Sequence, residues 1–478
     1  MNTLTDTRPK AHFTPPAGWL NDPNGLVFFE GEYHLFYQYH PDSLVWGPMH
    51  WGHAVTRDLV NWEHLDIALW PDALGTCFSG SAVVDINNTS GLFPDKPGLV
   101  AIYTCHRDAP GFDRGYIEEQ CIAYSHDNGR SWIKYAKNPV ISTIGKSDFR
   151  DPKVFWHEAS QHWIMSLAVS QEVHFYRSSN LLDWEFCSRF GEGHGAHTAH
   201  PWECPDLFQL QVEGTTEKRW VLLIGLGASE EAFGSFTQYF VGEFDGKNFI
   251  NENQPETILL MDEGRDFYAA QSWSDAPEKQ RLAIAWMSNW KYANQFPASS
   301  YRGSMSSART LTLSQQRDGV RMKQQFSALT APTNQLSSSV LINDTWCAET
   351  DTGARTGYAH LNLATGTSVE LSFFDPASAD LRVTLDESCY RFDILRASAQ
   401  GEATFKGLFD HHYSCELPAT GSLRLEWTTD QNSLEVLLGG GLMSITQLVT
   451  CSEAGAPLHI RRLEGECLLE EHAEALIA

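Results

Sequence analysis

The chain is poor in basic residues, and this limits the classes of partner that it can bind. Its 34 Lys and Arg are outnumbered by 60 Asp and Glu, which gives a formal net charge of −26. A chain with this charge repels nucleic acid and anionic membranes, so we expect neither as a partner. No Lys/Arg cluster offsets the acidic excess, which favours a neutral substrate over a phosphorylated one.

Long apolar runs and paired cysteine motifs are also missing. No stretch approaches the roughly 20 apolar residues of a membrane span. Residues 1–12 hold no apolar core of a secretory signal peptide. The ten cysteines include no Cys-x-x-Cys pair, so a disulfide framework is not expected. Together these observations lead us to expect a soluble protein of the reducing cytoplasm.

What the chain does contain is a repeat. Five times a short tag opens an apolar, β-rich run, which a turn joins to a second such run. A polar turn closing on an aromatic residue follows several of these hairpins, as in Asn180-Leu181-Leu182-Asp183-Trp184. The five tags are Asn21-Asp22-Pro23, Phe78-Ser79-Gly80, Arg150-Asp151-Pro152, Glu203-Cys204-Pro205 and Asp266-Phe267-Tyr268.

The spacing of the repeat predicts the fold. A period of roughly 50–70 residues with four short strands per unit is typical of propeller blades. We therefore predict an all-β protein with a five-bladed β-propeller over residues 1–315 and a linker over 316–335. Short alternating runs at close spacing then predict a C-terminal antiparallel β-sandwich over 336–478. The sandwich carries no motif with recognisable chemistry, and we interpret it as a supporting domain.

A ring of such repeats brings distant acidic residues together. The inner strands of a propeller begin around the central channel, so the tags should line its mouth. Three carboxylates from different tags would then share one pocket, without any metal motif. Paired carboxyls in such a pocket are what glycoside hydrolysis requires. Surplus Trp and Tyr, in a chain with 16 Trp, are suited to packing against sugar faces.

Five motifs in order resemble those of glycoside hydrolase family 32, which contains the invertases and exo-acting fructanases. They are Trp19–Gly25, Phe78-Ser79-Gly80-Ser81, Phe149-Arg150-Asp151-Pro152, Trp202-Glu203-Cys204-Pro205-Asp206 and Asp266-Phe267-Tyr268-Ala269. The resemblance covers the whole first domain. It implies a five-bladed propeller followed by a β-sandwich, and an enzyme that acts on β-fructofuranosides with retention of configuration.

The resemblance also implies roles for individual residues. Asp22 matches the nucleophile, Glu203 the acid/base, and Asp151 the transition-state stabiliser that holds the fructose 3- and 4-hydroxyls. We expect the negative charges of Asp22 and Asp151 to favour the protonated form of Glu203, and Arg150 to keep Asp151 charged. The positions that match the fructose subsite are Asn21, Gln38, Trp46, Phe78, Ser79, Arg150 and Trp290. No metal or cofactor is implied.

Two other features near Glu203 have chemical interpretations that we set aside. His194, His197 and His200 have a spacing that could suggest zinc, but a Gly- and Ala-rich loop bordering the pocket explains them better. Cys204 could be a nucleophile, but no motif supplies a histidine partner. We interpret its thiol as a neighbour that tunes Glu203 by packing.

The sequence leaves several substrates compatible with these motifs. Trp286–Asn294 and Tyr33–Trp51 resemble the exo-levanase and exo-inulinase branch, whose members usually also split sucrose. The expected cytoplasmic location favours sucrose and short fructo-oligosaccharides over fructan polymers. A fructosyltransferase shares the same catalytic residues and is the remaining alternative. A sugar-binding propeller without activity is disfavoured. Such a protein would be expected to lack one or more of the three carboxylates, and this chain has all of them.

The chain departs from the family pattern at two places, one near the end of the propeller and one in the second domain. Ala308 stands where the family usually has proline, just before Arg309. Three consecutive glycines, Gly439 to Gly441, replace a family-typical strand and suggest a flexible turn. This makes any family-typical role of the sandwich, including contact with a partner subunit, an open question.

Overall fold

Strands dominate the computed structural model, which describes residues 8–112, 114–142, 147–229, 233–327, 334–336, 338–349, 351–398, 401–450 and 455–477. The first seven residues and residues 328–333 of the predicted linker lie outside this description. The only α-helix of the described residues is Ala403–Phe409, and 3-10 turns cover Pro277–Lys279 and Ala293–Gln295. No helix among these residues is long and apolar enough to cross a bilayer.

Five antiparallel sheets form the predicted propeller. Blade 1 comprises Gly18–Phe29, Glu32–His40, His50–Thr56 and Glu63–Leu69, with Tyr301–Arg302 added in parallel to its first strand. Blade 2 comprises Thr76–Asp85, Gly98–Asp108, Tyr116–Ser125, Ile133–Lys134 and Ile141–Ser142. Blade 3 comprises Phe149–His157, His162–Val169, Glu172–Ser178 and Glu185–Phe190. Blade 4 comprises Trp202–Gln211, Lys218–Ser229, Gly234–Phe244, Phe249–Asn251 and Leu259–Leu260. Blade 5 comprises Tyr268–Ser272, Leu282–Trp286, Arg309–Gln316 and Gly319–Phe326.

The fifth blade extends further than the sequence suggested. Its outer strand, Gly319–Phe326, pairs along its whole length with Arg309–Gln316. This strand lies inside the segment 316–335 that we interpreted as a linker. The Gln- and Lys-rich composition misled us because an outer strand faces solvent on one side, and its alternating Val320, Met322 and Gln324 are the buried positions.

Each innermost strand carries a β-bulge at its tag. The pairing register shifts between Leu20 and Pro23, Cys77 and Gly80, Arg150 and Lys153, Glu203 and Asp206, and Tyr268 and Gln271. An extra residue in one strand bends that strand and re-aims its side chains. The bulges therefore turn the tags out of the regular pleat at the mouth of the channel.

Two sheets of the second domain pack face to face, as predicted for a sandwich. Trp427 and Phe373 lie fully buried between them, with ring centroids 5.6 Å apart. The first sheet contains Asn334–Gln335, Val340–Ile342, Arg355–Leu363, Leu423–Asp430, Ser433–Leu438, Met443–Leu448 and Cys467–Leu476. The second sheet contains Thr345–Cys347, Ser368–Ser372, Leu381–Leu385, Cys389–Arg396, His411–Pro418 and His459–Glu464.

The glycine run lies at the contact between the two domains. Gly439, Gly440 and Gly441 form the turn between two strands of the first sandwich sheet, all with positive φ. A Cβ atom on Gly441 would lie 1.9 Å from the carbonyl oxygen of Gln324 in blade 5. The Gln324 N–H donates to the Gly441 carbonyl at 3.0 Å. The glycines thus permit a close backbone approach, which the sequence alone had suggested only as flexibility.

Arg309 is the central side chain of this domain contact. Its guanidinium is fully buried and donates to Glu435 of the sandwich at 2.6 Å and to Asp262 of the propeller at 3.0 Å. It also bonds the hydroxyls of Ser444 and Thr446 and lies over the Phe267 ring. A second buried bridge joins His12 to both Asp430 and Glu435. The domains are therefore held together by paired charges as well as apolar contact.

We expect Arg309→Met to destabilise the protein by about 3–5 kcal/mol, because Glu435 and Asp262 would stay buried without the positive charge of the guanidinium. The matched control is Lys323→Met on the neighbouring strand, whose pair with Glu213 is partly exposed and worth under about 1 kcal/mol. Urea unfolding of both variants measures the difference. Equal effects of the two substitutions would contradict the assigned role of Arg309.

Candidate active site

All ten predicted site residues line one cavity of about 440 Å³ at the mouth of the propeller channel. Asp22, Asp151 and Glu203 come from the bulged inner strands of blades 1, 3 and 4. The cavity also contains four residues that sequence reasoning missed. They are His106, Tyr116, Glu118 and Asp148.

Asp22 is held by its neighbours in one orientation. Ser79 Oγ donates to Asp22 Oδ2 at 2.7 Å, and Asn21 Nδ2 donates to Asp22 Oδ1 at 3.0 Å. Asn21 is itself fixed, because its side-chain oxygen accepts a 2.8 Å bond from Trp19 Nε1. Burial raises the pKa of Asp22, and the bonds from Ser79 and Asn21 oppose that shift. Ser79 and Asn21 therefore orient and stabilise this carboxylate.

Asp151 occupies a backbone conformation that is uncommon for residues other than glycine. Its φ is +63°, in the left-handed region, and it is the extra residue of the blade 3 bulge. The backbone N–H of Asp151 donates to Thr104 Oγ1, and Asp151 Oδ2 accepts from the backbone N–H of Cys204 at 3.0 Å. Such strain persists only where the surroundings enforce it, and it is common at functional sites.

Burial raises the pKa of Asp151 to about 8. The charge of Arg150 opposes this shift, while Glu203 and Asp22 add to it. Arg150 thus acts in the predicted direction and favours the charged form of Asp151, but burial and the two neighbouring carboxyls outweigh its charge.

Glu203 is the carboxyl that Arg150 binds directly. Arg150 Nη2 donates to Glu203 Oε1 at 2.9 Å, and the Tyr268 hydroxyl donates to Glu203 Oε2. Burial raises the pKa of Tyr268 well above its ordinary value, so the phenol keeps its proton and acts as the donor. In the free protein each carboxyl oxygen of Glu203 thus accepts a hydrogen bond from a neighbouring side chain.

Cys204 lies between the other two carboxyls. Its Sγ is 3.6 Å from Asp22 Oδ2 and 3.6 Å from Asp151 Oδ2. Burial raises the pKa of this thiol well above its ordinary value, so it is no thiolate nucleophile. We expected it to tune Glu203, but its contacts are with Asp22 and Asp151.

The remaining predicted residues form the walls of the cavity. Gln38 Nε2 donates to Asn24 and to the Cys77 carbonyl, which commits its two amide hydrogens within the protein. Trp46 is 44% exposed and contacts Phe78 edge-on at 6.1 Å. Trp290 stacks on Trp19 at 6.0 Å. The site thus combines an apolar rim with a polar, acidic floor.

The fifth tag contributes one residue to the active site and another to the contact with the sandwich. Tyr268 reaches Glu203, but Asp266 turns towards the sandwich and pairs with buried Arg396 at 2.7 Å. The register shift falls just after Tyr268, so the tyrosine takes the place that Arg150 and Glu203 hold in their blades. That equivalence was the signal in the sequence that could have identified Tyr268.

Two of the three histidines before Glu203 have side-chain partners within the protein. His197 stacks on Trp202 and bonds Gln171, whereas His194 packs on Phe190. Within the described residues, no group of His, Cys, Asp and Glu is arranged to hold a metal ion.

A propeller that gathers three carboxyls beneath an aromatic rim defines a glycoside hydrolase. Residues 12–325 match the model of the glycosyl hydrolases family 32 N-terminal domain. The chain is 43% identical to a levanase from Bacillus subtilis over 96% of this chain and 69% of that protein. It is 42% identical to an invertase from Debaryomyces hansenii over 67% of this chain and 60% of that protein.

Solved structures agree over nearly the whole length. A fructofuranosidase from Schwanniomyces occidentalis complexed with fructosylnystose superimposes with a TM-score of 0.88 at 31% identity, covering 99% of this chain and 98% of that one. An exo-inulinase from Aspergillus awamori gives a TM-score of 0.84 at 31% identity with complete coverage of both chains. The chain belongs to glycoside hydrolase family 32.

We expect Asp151→Asn to stabilise the folded protein at high pH. The raised pKa means that ionising Asp151 costs stability as the pH rises from about 4 through about 8. Asparagine carries no such cost, and its oxygen can still accept from Cys204. The variant should gain at least about 2 kcal/mol over the parent at pH 9, given roughly 1.4 kcal/mol per pKa unit.

Urea unfolding at pH 5 and pH 9 measures this effect. At pH 5 the parent residue is protonated, so parent and variant should differ little. The same difference at both pH values would show that Asp151 does not ionise in this range.

Proposed function

We propose that this chain is a retaining β-fructofuranosidase that removes the terminal non-reducing β-D-fructofuranosyl residue of sucrose and short fructo-oligosaccharides. The observation that carries this proposal is the convergence of Asp22, Asp151 and Glu203 from three blades into one cavity. Relatives and structural neighbours named levanase, invertase, exo-inulinase and fructofuranosidase support the same class of substrate.

In the first step Asp22 is the nucleophile. Its carboxylate attacks the anomeric carbon of fructose while the bond from that carbon to the leaving oxygen breaks. Glu203, protonated in the substrate complex, gives its proton to that oxygen. The products are a fructosyl ester on Asp22 and a free leaving group. The hydroxyl of Ser79 and the amide of Asn21 hold Asp22 in place for the attack.

In the second step Glu203 acts as a base. It takes a proton from water, whose oxygen attacks the anomeric carbon and releases Asp22 as a carboxylate. Two inversions give overall retention. Arg150 and Tyr268 stabilise the carboxylate form that Glu203 adopts between the two steps.

Asp151 is assigned to the hydroxyls of the furanose ring. It lies on the inner strand of blade 3 and lines the cavity, with one carboxyl oxygen fixed by the Cys204 N–H. Hydrogen bonds from sugar hydroxyls favour the ionised form of Asp151, which burial disfavours in the empty site. Substrate binding is therefore coupled to the ionisation of Asp151.

The named relatives are also compatible with an exo-levanase or exo-inulinase, and with a fructosyltransferase that uses the same ester. The chain spans between half and about two thirds of the length of several curated relatives. Some of those relatives are named extracellular exo-inulinases, so the cytoplasmic location stays a prediction.

We expect Asp22→Asn and Glu203→Gln each to lower kcat on sucrose by at least roughly 10²–10⁴-fold, the range of a lost acid/base group. Both should fold, because each substitution keeps the shape of the side chain. Glu185→Gln is the matched control, since Glu185 is 65% exposed on the outer strand of blade 3. Near-parental activity in either folded active-site variant would refute its assigned role.

Substrate preference is tested by comparing kcat/KM for sucrose, 1-kestose and inulin. We expect sucrose and 1-kestose to be turned over more efficiently than the polymer. A preference for inulin would favour the exo-inulinase alternative. At high sucrose, equal release of glucose and fructose is expected for hydrolysis, and glucose in large excess would indicate transfer.

A further inference from the structure

One side of the cavity has no part in the proposed fructose subsite. It is formed by His106, Tyr116, Glu118 and Asp148, from blade 2 and the start of blade 3. We call these four residues the blade 2 wall. Arg150 joins the wall to the acid/base residue, because one of its amino groups bonds Asp148 at 2.9 Å and Glu118 at 3.4 Å while the other bonds Glu203.

The position of Glu203 decides which part of a substrate meets this wall. Glu203 is proposed to protonate the oxygen that links fructose to the leaving group. The fructose ring takes the space towards Asp22 and Asp151. The leaving group therefore extends from Glu203 past Arg150, along the blade 2 wall.

The wall offers a sugar an aromatic surface. Phe78 and His106 stack in parallel at 4.2 Å, and the His106 and Tyr116 rings lie 5.1 Å apart. Phe78 also borders the fructose subsite, so these three rings form a contiguous aromatic stack that leads from that subsite to Tyr116. Aromatic side chains supply a large, rigid contact surface with a polar tip.

The wall is also acidic. The Tyr116 hydroxyl donates to Asp148 at 2.9 Å, and its pKa is raised to about 12 by burial and by Glu118 and Asp148. Burial alone would raise the pKa of Asp148, but the charge of Arg150 and the bonds from Arg150 and Tyr116 bring it below its usual value. Asp148 is therefore ionised.

Among the residues that the structure describes, the cations near the wall are already paired with carboxylates. Arg150 serves Asp148, Glu118 and Glu203 together, and Arg114, which is 58% exposed, lies 3.8 Å from Asp148. His106 Nδ1 lies 3.2 Å from Glu118. Carboxylates accept bonds from sugar hydroxyls, whereas an added phosphate would meet like charge.

Resting on the proposed function, we infer that Tyr116 and Asp148 form the leaving-group subsite and select an uncharged sugar over a phosphorylated one. Tyr116 provides the contact surface, and Asp148 provides the charge that excludes the phosphate. Both are specificity-determining residues outside the catalytic three.

The first test needs only the parent enzyme. Its kcat/KM is measured on sucrose and on sucrose phosphorylated at the 6-hydroxyl of glucose, which carries the charge on the leaving group. We expect at least about a 30-fold preference for unmodified sucrose, since like charges across an interface cost several kcal/mol. Comparable values on the two substrates would overturn the inference.

The second test separates leaving-group binding from the chemistry. Methyl β-D-fructofuranoside has a fructose ring but no leaving sugar, so it reports on the fructose subsite and the catalytic residues. For Tyr116→Ala we expect the ratio of kcat/KM on sucrose to that on the methyl glycoside to fall about 10-fold, chiefly through KM. Tyr116→Phe keeps the ring and should restore most of that ratio.

Asp148→Asn tests whether the negative charge of Asp148 excludes the phosphate. The φ of Asp148 is +52°, which asparagine tolerates, so the backbone should be unchanged. We expect the preference for sucrose over its phosphorylated form to narrow at least about 5-fold.

An unchanged ratio in Tyr116→Ala, or an unchanged preference in Asp148→Asn, would overturn the inference. So would an equal loss on sucrose and the methyl glycoside, which is the result expected of a merely structural residue. A parent enzyme that turns over neither substrate would instead refute the proposed function, and the inference with it.

Discussion

The site depends on the bulge that interrupts every innermost strand at its tag. A regular strand would point alternate side chains towards the two neighbouring blades, and none along the channel. The extra residue breaks that alternation where the channel opens. Asp151 and Cys204 are such residues, and both have the positive φ that lets the backbone N–H of Cys204 reach the Asp151 carboxyl. The strain in these tags is thus inseparable from the convergence of the carboxyls.

Burial of several acids around one arginine is the second constraint. Arg150 contacts Glu203, Asp148 and Glu118, and also lowers the pKa of Asp151 by its charge. One guanidinium cannot neutralise them all, and the pKa of Asp151 stays raised. This shortage of positive charge is useful to a glycosidase, which needs one carboxyl protonated and another ionised at the same pH. It also makes the site unfavourable to anionic sugars, in keeping with the net charge of the chain.

The two domains contact each other through buried charges, and this explains features that the sequence left ambiguous. Arg309 belongs to the propeller but pairs with Glu435 of the sandwich. Asp266 is part of the fifth tag, yet it pairs with Arg396 of the sandwich. Gly441 approaches the backbone of blade 5 too closely for any side chain. Local sequence shows none of this, because the partners are more than 100 residues away.

Sequence alone determined the number of blades, the order of the domains and ten of the fourteen residues that line the cavity, because repeats and motifs are local signals. It could not show that Gly319–Phe326 completes blade 5, nor that Tyr268, Tyr116 and Asp148 join the site. Only the tertiary structure decided which donor each carboxyl receives, and it assigned Arg150 to Glu203. The reason is physical: hydrogen bonding and burial depend on which blades become neighbours, and closure of the ring sets those distances.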